Sequence, residues 1–135
     1  MITRLKEQLI IDEGYRQFPY RCTAGKLTIG VGRNIQDVGI SKEEAEHLLE
    51  NDIMKSIIDL KKIFENFENL PENVQYVLMN MRFQLGAGTF RKFKNFIKAI
   101  RIESWNQAAD EMKDSLWYKQ TKNRTKRLIH IMKEI

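Results

Sequence analysis

The spacing of apolar residues changes character along the chain. Ile2, Leu5 and Leu9 recur at helical spacing within the first twelve residues. Gly14 then stands where such a helix needs a residue free to leave it. From Tyr15 to Arg33 the period drops to two: Leu27, Ile29 and Val31 alternate with Thr28, Gly30 and Gly32. "TAGK" (Thr23 to Lys26) supplies a turn, and Pro19, with no N–H to give to a ladder, suits an edge. The pattern predicts a small antiparallel hairpin or sheet.

Helical spacing returns at Ser41. "SKEE" sets Glu44 three residues after Ser41, a capping box. The series Ala45, Leu48, Leu49, Ile53, Ile57, Leu60 and Phe64 predicts one long helix running to about Phe67. Pro71 marks the next start, and Val74 to Leu85 reads as a helix broken by Gly86 and Gly88. Phe90, Phe93, Ile97 and Ile100 then share one face, and Ser104 is placed to cap a helix through about Lys113. A last helix is expected from about Lys122, with Leu128, Ile131 and Ile135 aligned. One helix, a small sheet, a long helix and a helical half make an α+β fold, mainly helical.

A length of 135 residues favours one domain. Apolar residues at 42% and charged residues at 30% are ordinary globular composition. No apolar run is long enough for a membrane-spanning helix. Lys6, Glu7 and Gln8 fall where a signal peptide would need an apolar core, so the first helix reads as part of the fold and no cleaved signal is expected. One cysteine excludes an intramolecular disulfide framework. The two histidines, Cys22 and the carboxylates show no metal-ligand spacing, so neither a metal nor a cofactor is expected. The net charge of +5 fits either a solvated basic surface or a polyanionic partner, and charge alone does not choose.

Two acids close the first helix. On a helical wheel Glu13 lies near Ile2 and Leu9, bordering the apolar face, and Asp12 lies near Leu5. The helix C-terminus is the negative end of the macrodipole and disfavours a charged carboxylate by roughly 0.3–1 kcal/mol. Partial burial would add to this. A carboxyl that keeps its proton is what a general acid needs. An ion pair with an arginine is the other reading. In the hairpin, Tyr20 and Cys22 share one face and Thr28, Gly30 and Gly32 another. That second face lacks bulk, and either lets something approach closely or forms a tight sheet corner.

The string "IDEG…PY…C…G…TIGVGR" resembles the phage-type lysozymes, the bacteriophage T4 lysozyme family of endolysins. "SKEEAEHLLENDI", "NMRFQLG" (Asn80 to Gly86) and "WYKQTKNRTKR" (Trp117 to Arg127) are similar to that family's later motifs, in the same order. The resemblance implies a two-lobed lysozyme-like fold. A small β lobe would cover about 15–40 and an interlobe helix about 41–67. The helical lobe would cover about 68–135 and include the N-terminal helix 1–13. It also implies hydrolysis of the β-1,4 bond between N-acetylmuramic acid and N-acetylglucosamine in peptidoglycan, with bacterial lysis as the outcome. Glu13 would protonate the leaving oxygen, and Thr28 would orient a water. Phe83 and Gln84 match cleft positions, against readings as a core phenylalanine and a helix cap. Arg124 fits as an ion-pair partner of Glu13 or Asp12, since it shares a helix stripe with Leu128 and Ile131. Trp117 reads as core. Arg33, at a position where the T4 enzyme has histidine, reads as structural.

Cys22 departs from the pattern, standing where the best-known members have aspartate. As a thiolate it would act as base or nucleophile, and as a neutral thiol it would fix the water beside Thr28. As a small buried hydrophobe it would be inert. Inverting and retaining chemistry stay open. The competing class is a catalytically weakened peptidoglycan-binding or regulatory protein on the same fold. A nucleic-acid binder is not expected, because the basic residues alternate with Asp and Glu and no DNA-reading motif occurs. "KNRTKRLIHIMKEI" is expected to be a terminal core helix, without stable membrane insertion. The expected partner is the peptidoglycan glycan strand, met by a monomer. Synthesis in a bacterial host's cytoplasm and access to the wall after membrane permeabilisation are expected from the resemblance.

Overall fold

A computed structural model describes residues 1–135 and divides them into two compact units, Met1–Leu48 and Leu49–Ile135. The first opens with helix α1 (Ile2–Glu13). Gly14, at φ 74°, ends it and donates its N–H to Ile10 O. None of the α1 side chains is buried, and the stripe of Ile2, Leu5 and Leu9 is exposed.

Strands β1 (Arg16–Arg21), β2 (Leu27–Gly30) and β3 (Arg33–Asn34) form an antiparallel sheet in that order. Pro19 lies on the edge strand β1, within a stretch where the register slips between Arg16 and Tyr20. A residue that cannot donate to the ladder is tolerated there. On central β2, Thr28 pairs with Tyr20 on one side and Asn34 on the other. Thr28 is buried while its neighbour Leu27 is exposed, so this small sheet turns its polar, low-bulk face inward. The sequence pattern did not anticipate the four-residue helix α2 (Ile35–Val38). Asn34 caps it, Oδ1 accepting from the Asp37 N–H at 3.0 Å.

Helix α3 (Lys42–Ile63) begins at the expected capping box. Ser41 Oγ accepts from the Glu44 N–H at 3.1 Å and Glu44 Oε1 accepts from the Ser41 N–H at 2.8 Å, satisfying two helix-end donors reciprocally. Glu44 also takes both Arg33 guanidinium nitrogens, at 2.9 and 2.7 Å. That fork, with the Ser41 N–H, holds its carboxyl at about 2, well below the usual range. Arg33 thus has the structural role expected of it. The helix stops at Ile63, short of the expected Phe67. Phe64 and Phe67 keep the apolar spacing and are both buried, but the backbone leaves the helix before Phe64 and tightens into a 3-10 turn at Phe67–Asn69.

The second unit continues with α4 (Glu72–Arg91), α5 (Lys94–Arg101), α6 (Trp105–Lys113), α7 (Leu116–Gln120) and α8 (Lys122–Lys133). Gly86 breaks α4, at φ 82° and ψ 168°, as the sequence suggested, whereas Gly88 sits within the helical continuation. Ser104 precedes α6 but its side chain makes no capping bond, against expectation. Helix α7 was not foreseen; Ser115 Oγ accepts from the Tyr118 N–H and starts it. Twenty apolar side chains from Leu60 to Met132 form one core, with Phe90 and Phe96 edge to face at 6.3 Å. Leu128, Ile129 and Met132 bury one side of α8, so it is a helix of the core, while Ile135 is exposed. An ion cluster ties α3 to α4: the largely buried Asp59 accepts from the largely buried Arg82 Nε at 2.6 Å and from the more exposed Arg91. No helix is long and apolar enough to cross a membrane.

Candidate functional site

Glu13 is the last residue of α1 and is exposed, which corrects the partial burial expected from its helical wheel position. Its position is nonetheless constrained from the sheet side. Val31–Gly32 connects β2 to β3, and Gly32 has φ 65°. A Cβ on Gly32 would lie 2.8 Å from Glu13 Oε2, 3.0 Å from Cδ and 3.1 Å from Cγ. The carboxyl therefore occupies the space a side chain at 32 would fill. The close approach that the low-bulk face suggested is made, at Gly32, by Glu13 itself.

Cys22 and Thr28 flank the β1–β2 turn. The Cys22 N–H donates to Lys26 O at 3.0 Å and the Gly25 N–H donates to Cys22 O at 2.8 Å, with Gly25 at φ 76°. The turn leaves the half-buried thiol facing backbone donors. The Lys26 N–H, then that of Ala24, hold the thiol below its ordinary value; partial desolvation opposes them and the Thr28 hydroxyl adds a smaller lowering. Thr28 Oγ1 also donates to Lys26 O at 2.9 Å. It has one proton, so it serves either that carbonyl or a Cys22 thiolate at a given moment.

The remaining expected residues divide between the units. Asp12, in the first, accepts from Gln8 Nε2 at 2.8 Å. Arg124, in the second, does not find its local partner in an acid. Its Nε donates to Asn80 Oδ1 at 2.9 Å and its Nη2 reaches Asn80 O at 3.4 Å. Asn80 offers two of the guanidinium nitrogens neutral acceptors, and the only signal for it was its place at the head of "NMRFQLG". Phe83 is exposed, so the reading as a core residue is corrected. It lines a shallow apolar concavity of about 230 Å³ with Leu49, Ile53, Tyr76, Met79 and Arg124. Gln84 Oε1 accepts from Trp117 Nε1 at 2.9 Å, and Trp117 is buried as expected. That bond gives the buried indole N–H its partner and fixes the Gln84 amide.

Comparison with known proteins fits this arrangement. The family model described as Phage lysozyme matches residues 11–131. "Probable T4-type lysozyme 2" of Dictyostelium discoideum is 32% identical, the alignment covering 97% of this chain and 94% of that protein. "Probable T4-type lysozyme 1" of the same organism is 30% identical, covering 98% and 95%. The "Pre-baseplate central spike protein Gp5" of Enterobacteria phage T4 is 32% identical over 95% of this chain but 27% of its own length. The family match leaves out only the first ten and last four residues, and two relatives align across almost their whole lengths, so the chain belongs to the phage lysozyme family.

Proposed function

We propose that this lysozyme-like protein is a muramidase. It cleaves the β-1,4 bond between N-acetylmuramic acid and N-acetylglucosamine in peptidoglycan, with lysis of bacterial cells as the consequence. The observation that carries the reading is the Glu13 carboxyl seated on the Cβ-free surface of Gly32 at the end of α1. A general acid has to be held at a defined place relative to the leaving oxygen. A glycine in the left-handed region is the one residue that lets the carboxyl sit there.

In this reading Glu13 gives its proton to the glycosidic oxygen as the C1–O bond lengthens, and positive charge develops at C1. Water adds to C1 and gives up a proton. Cys22 and Thr28 serve that half of the reaction. The donors around Cys22 favour its thiolate, a base for the incoming water. The Thr28 hydroxyl bonds the same water or the sulfur. With the thiol neutral, the pair still orients water by hydrogen bonding. Exposed Phe83 and the anchored Gln84 are proposed to contact the glycan.

Product analysis tests the bond assignment. Digested sacculi should release muropeptides with a new reducing end on N-acetylmuramic acid. Reducing N-acetylglucosamine ends, or binding of sacculi without release, would reject it in favour of another glycosidase or a binding protein. A substitution series tests Cys22. Cys22→Asp is expected to keep activity, Cys22→Ser to retain part of it and Cys22→Ala to lose the most. Equal rates in all three and the wild type would remove Cys22 from the reaction.

A further inference from the structure

The basic residues are not evenly interspersed with acids throughout the chain, which corrects the expectation drawn from the sequence as a whole. The segment "RKFKNFIKAIR" (Arg91 to Arg101) holds Arg91, Lys92, Lys94, Lys98 and Arg101 and no acid. With a net charge of +5 for the whole chain, everything outside this segment is formally neutral. The fold then gathers part of it. Lys62 from the end of α3, Arg91 from the end of α4, and Lys94 and Arg101 from the two ends of α5 line one open concavity of about 350 Å³, floored by Ile63 and Ile97. None of its lining residues is acidic.

Two of the four cations are held in place. Arg91 is fixed by Asp59 and by Ala87 O at 3.0 Å, and Arg101 donates from Nη2 to Ile63 O at 2.9 Å. Asp59 is the acid behind this wall, and it is already shared between Arg82 and Arg91. Lys62 and Lys94 form no ion pair. Like charges converging on a concavity without acids repel one another, and a bound anion relieves that repulsion. Arg91 keeps both Nη groups on Asp59 and adds its field, whereas Arg101, anchored through Nη2 alone, loses little freedom when it receives a phosphoryl oxygen, and the lysines add mobile point charges.

We propose that the Lys62–Arg91–Lys94–Arg101 concavity is a binding site for a phosphoryl group, presented by a free phosphate or pyrophosphate or by a phospholipid headgroup. Convergence on a single hollow suits a compact phosphoryl cluster better than the extended track of a nucleic-acid backbone. The site is built wholly within Leu49–Ile135 and is independent of the muramidase reading.

The test uses the full chain in low-salt buffer. Inorganic pyrophosphate, titrated against chloride at matched ionic strength and followed by amide NMR, is expected to saturate. The dissociation constant should be roughly 0.1–1 mM, with shifts centred on Lys62, Ile63 and residues 91–101. The double variant Lys62→Gln/Lys94→Gln is expected to weaken binding roughly tenfold, and Lys119→Gln/Lys126→Gln less than about twofold. Vesicles of phosphatidylglycerol with phosphatidylcholine, compared with phosphatidylcholine alone, separate the sources. Binding lost in the first double variant makes the headgroup a source, and pyrophosphate binding without vesicle binding makes it the free anion. No saturable shift, shifts scattered over the surface, or equal weakening in both double variants would overturn the proposal. So would tighter binding of duplex DNA than of pyrophosphate, with the same dependence on Lys62 and Lys94, because the anion would then be a nucleic-acid backbone.

Discussion

Met1–Leu48 buries a single side chain, that of Thr28, whereas Leu49–Ile135 buries twenty apolar ones in one core. The first unit keeps its shape by local means: glycines at positive φ, a β-turn, the capping box and the Arg33–Glu44 fork. The second keeps its shape by packing. The groups proposed to do chemistry, Glu13, Cys22 and Thr28, lie in the first. Their geometry rests on hydrogen bonds and backbone conformation, so it is open to change with little cost in core packing. The apolar and amide-anchored residues proposed to contact the glycan, Phe83 and Gln84, stand on the well-packed second unit. Each unit also carries one carboxyl fixed near 2 by arginine, Glu44 in the first and Asp59 in the second, but Asp59 is far less exposed. The same pairing therefore weighs more where water is excluded.

Substitutions in the two units should separate accordingly. Phe96→Ala removes a fully packed ring from the second unit and its edge-to-face contact with Phe90. It is expected to cost about 3–5 kcal/mol in denaturant unfolding. The folded fraction should retain wild-type specific activity, and an activity loss beyond the unfolded fraction would break the division. Asp59→Asn leaves Arg82 and Arg91 without their shared carboxylate and is expected to cost on the order of 1–3 kcal/mol at neutral pH. The Asp59 contribution is fully present above the unfolded carboxylate's value of 3.8. It is lost as pH falls toward about 2, because the unfolded chain takes up the proton first. The variant should therefore differ most from wild type at neutral pH and converge with it in strong acid. A constant gap down to that range would contradict the assignment. Gly32→Ala inverts the balance. It costs about 1–2 kcal/mol for its backbone conformation, yet it drives the Glu13 carboxyl from its seat. The expected loss in kcat is about a hundredfold with KM little changed. Unchanged kcat would show that the seat does not matter.

These contrasts also explain what was legible in the sequence. Features set by neighbours a few residues apart were readable: the Ser41–Glu44 box, the turn before Lys26 and the break at Gly86. The overrun of α3 arose because Phe64 and Phe67 keep helical spacing after the backbone has left the helix. Contacts across long stretches of chain were not readable. No local pattern links Glu13 to Gly32, Asp59 to Arg82 and Arg91, or Arg124 to Asn80. Nor did any local pattern show that Arg124 meets a side-chain amide and a backbone carbonyl within its own unit. The candidate site came from family motifs more than from periodicity, since chemistry is set by residue identity at a few positions.

The central claim is that the chemistry depends on one carboxyl of the weakly buried first unit. Release of reducing muropeptides from purified sacculi, measured side by side for the wild type and Glu13→Gln at equal folded concentration, tests it most directly. The amide keeps the shape of the seat on Gly32 but has no proton to give, so the rate should fall by about 10²–10⁴-fold. Equal rates for the two proteins would contradict it.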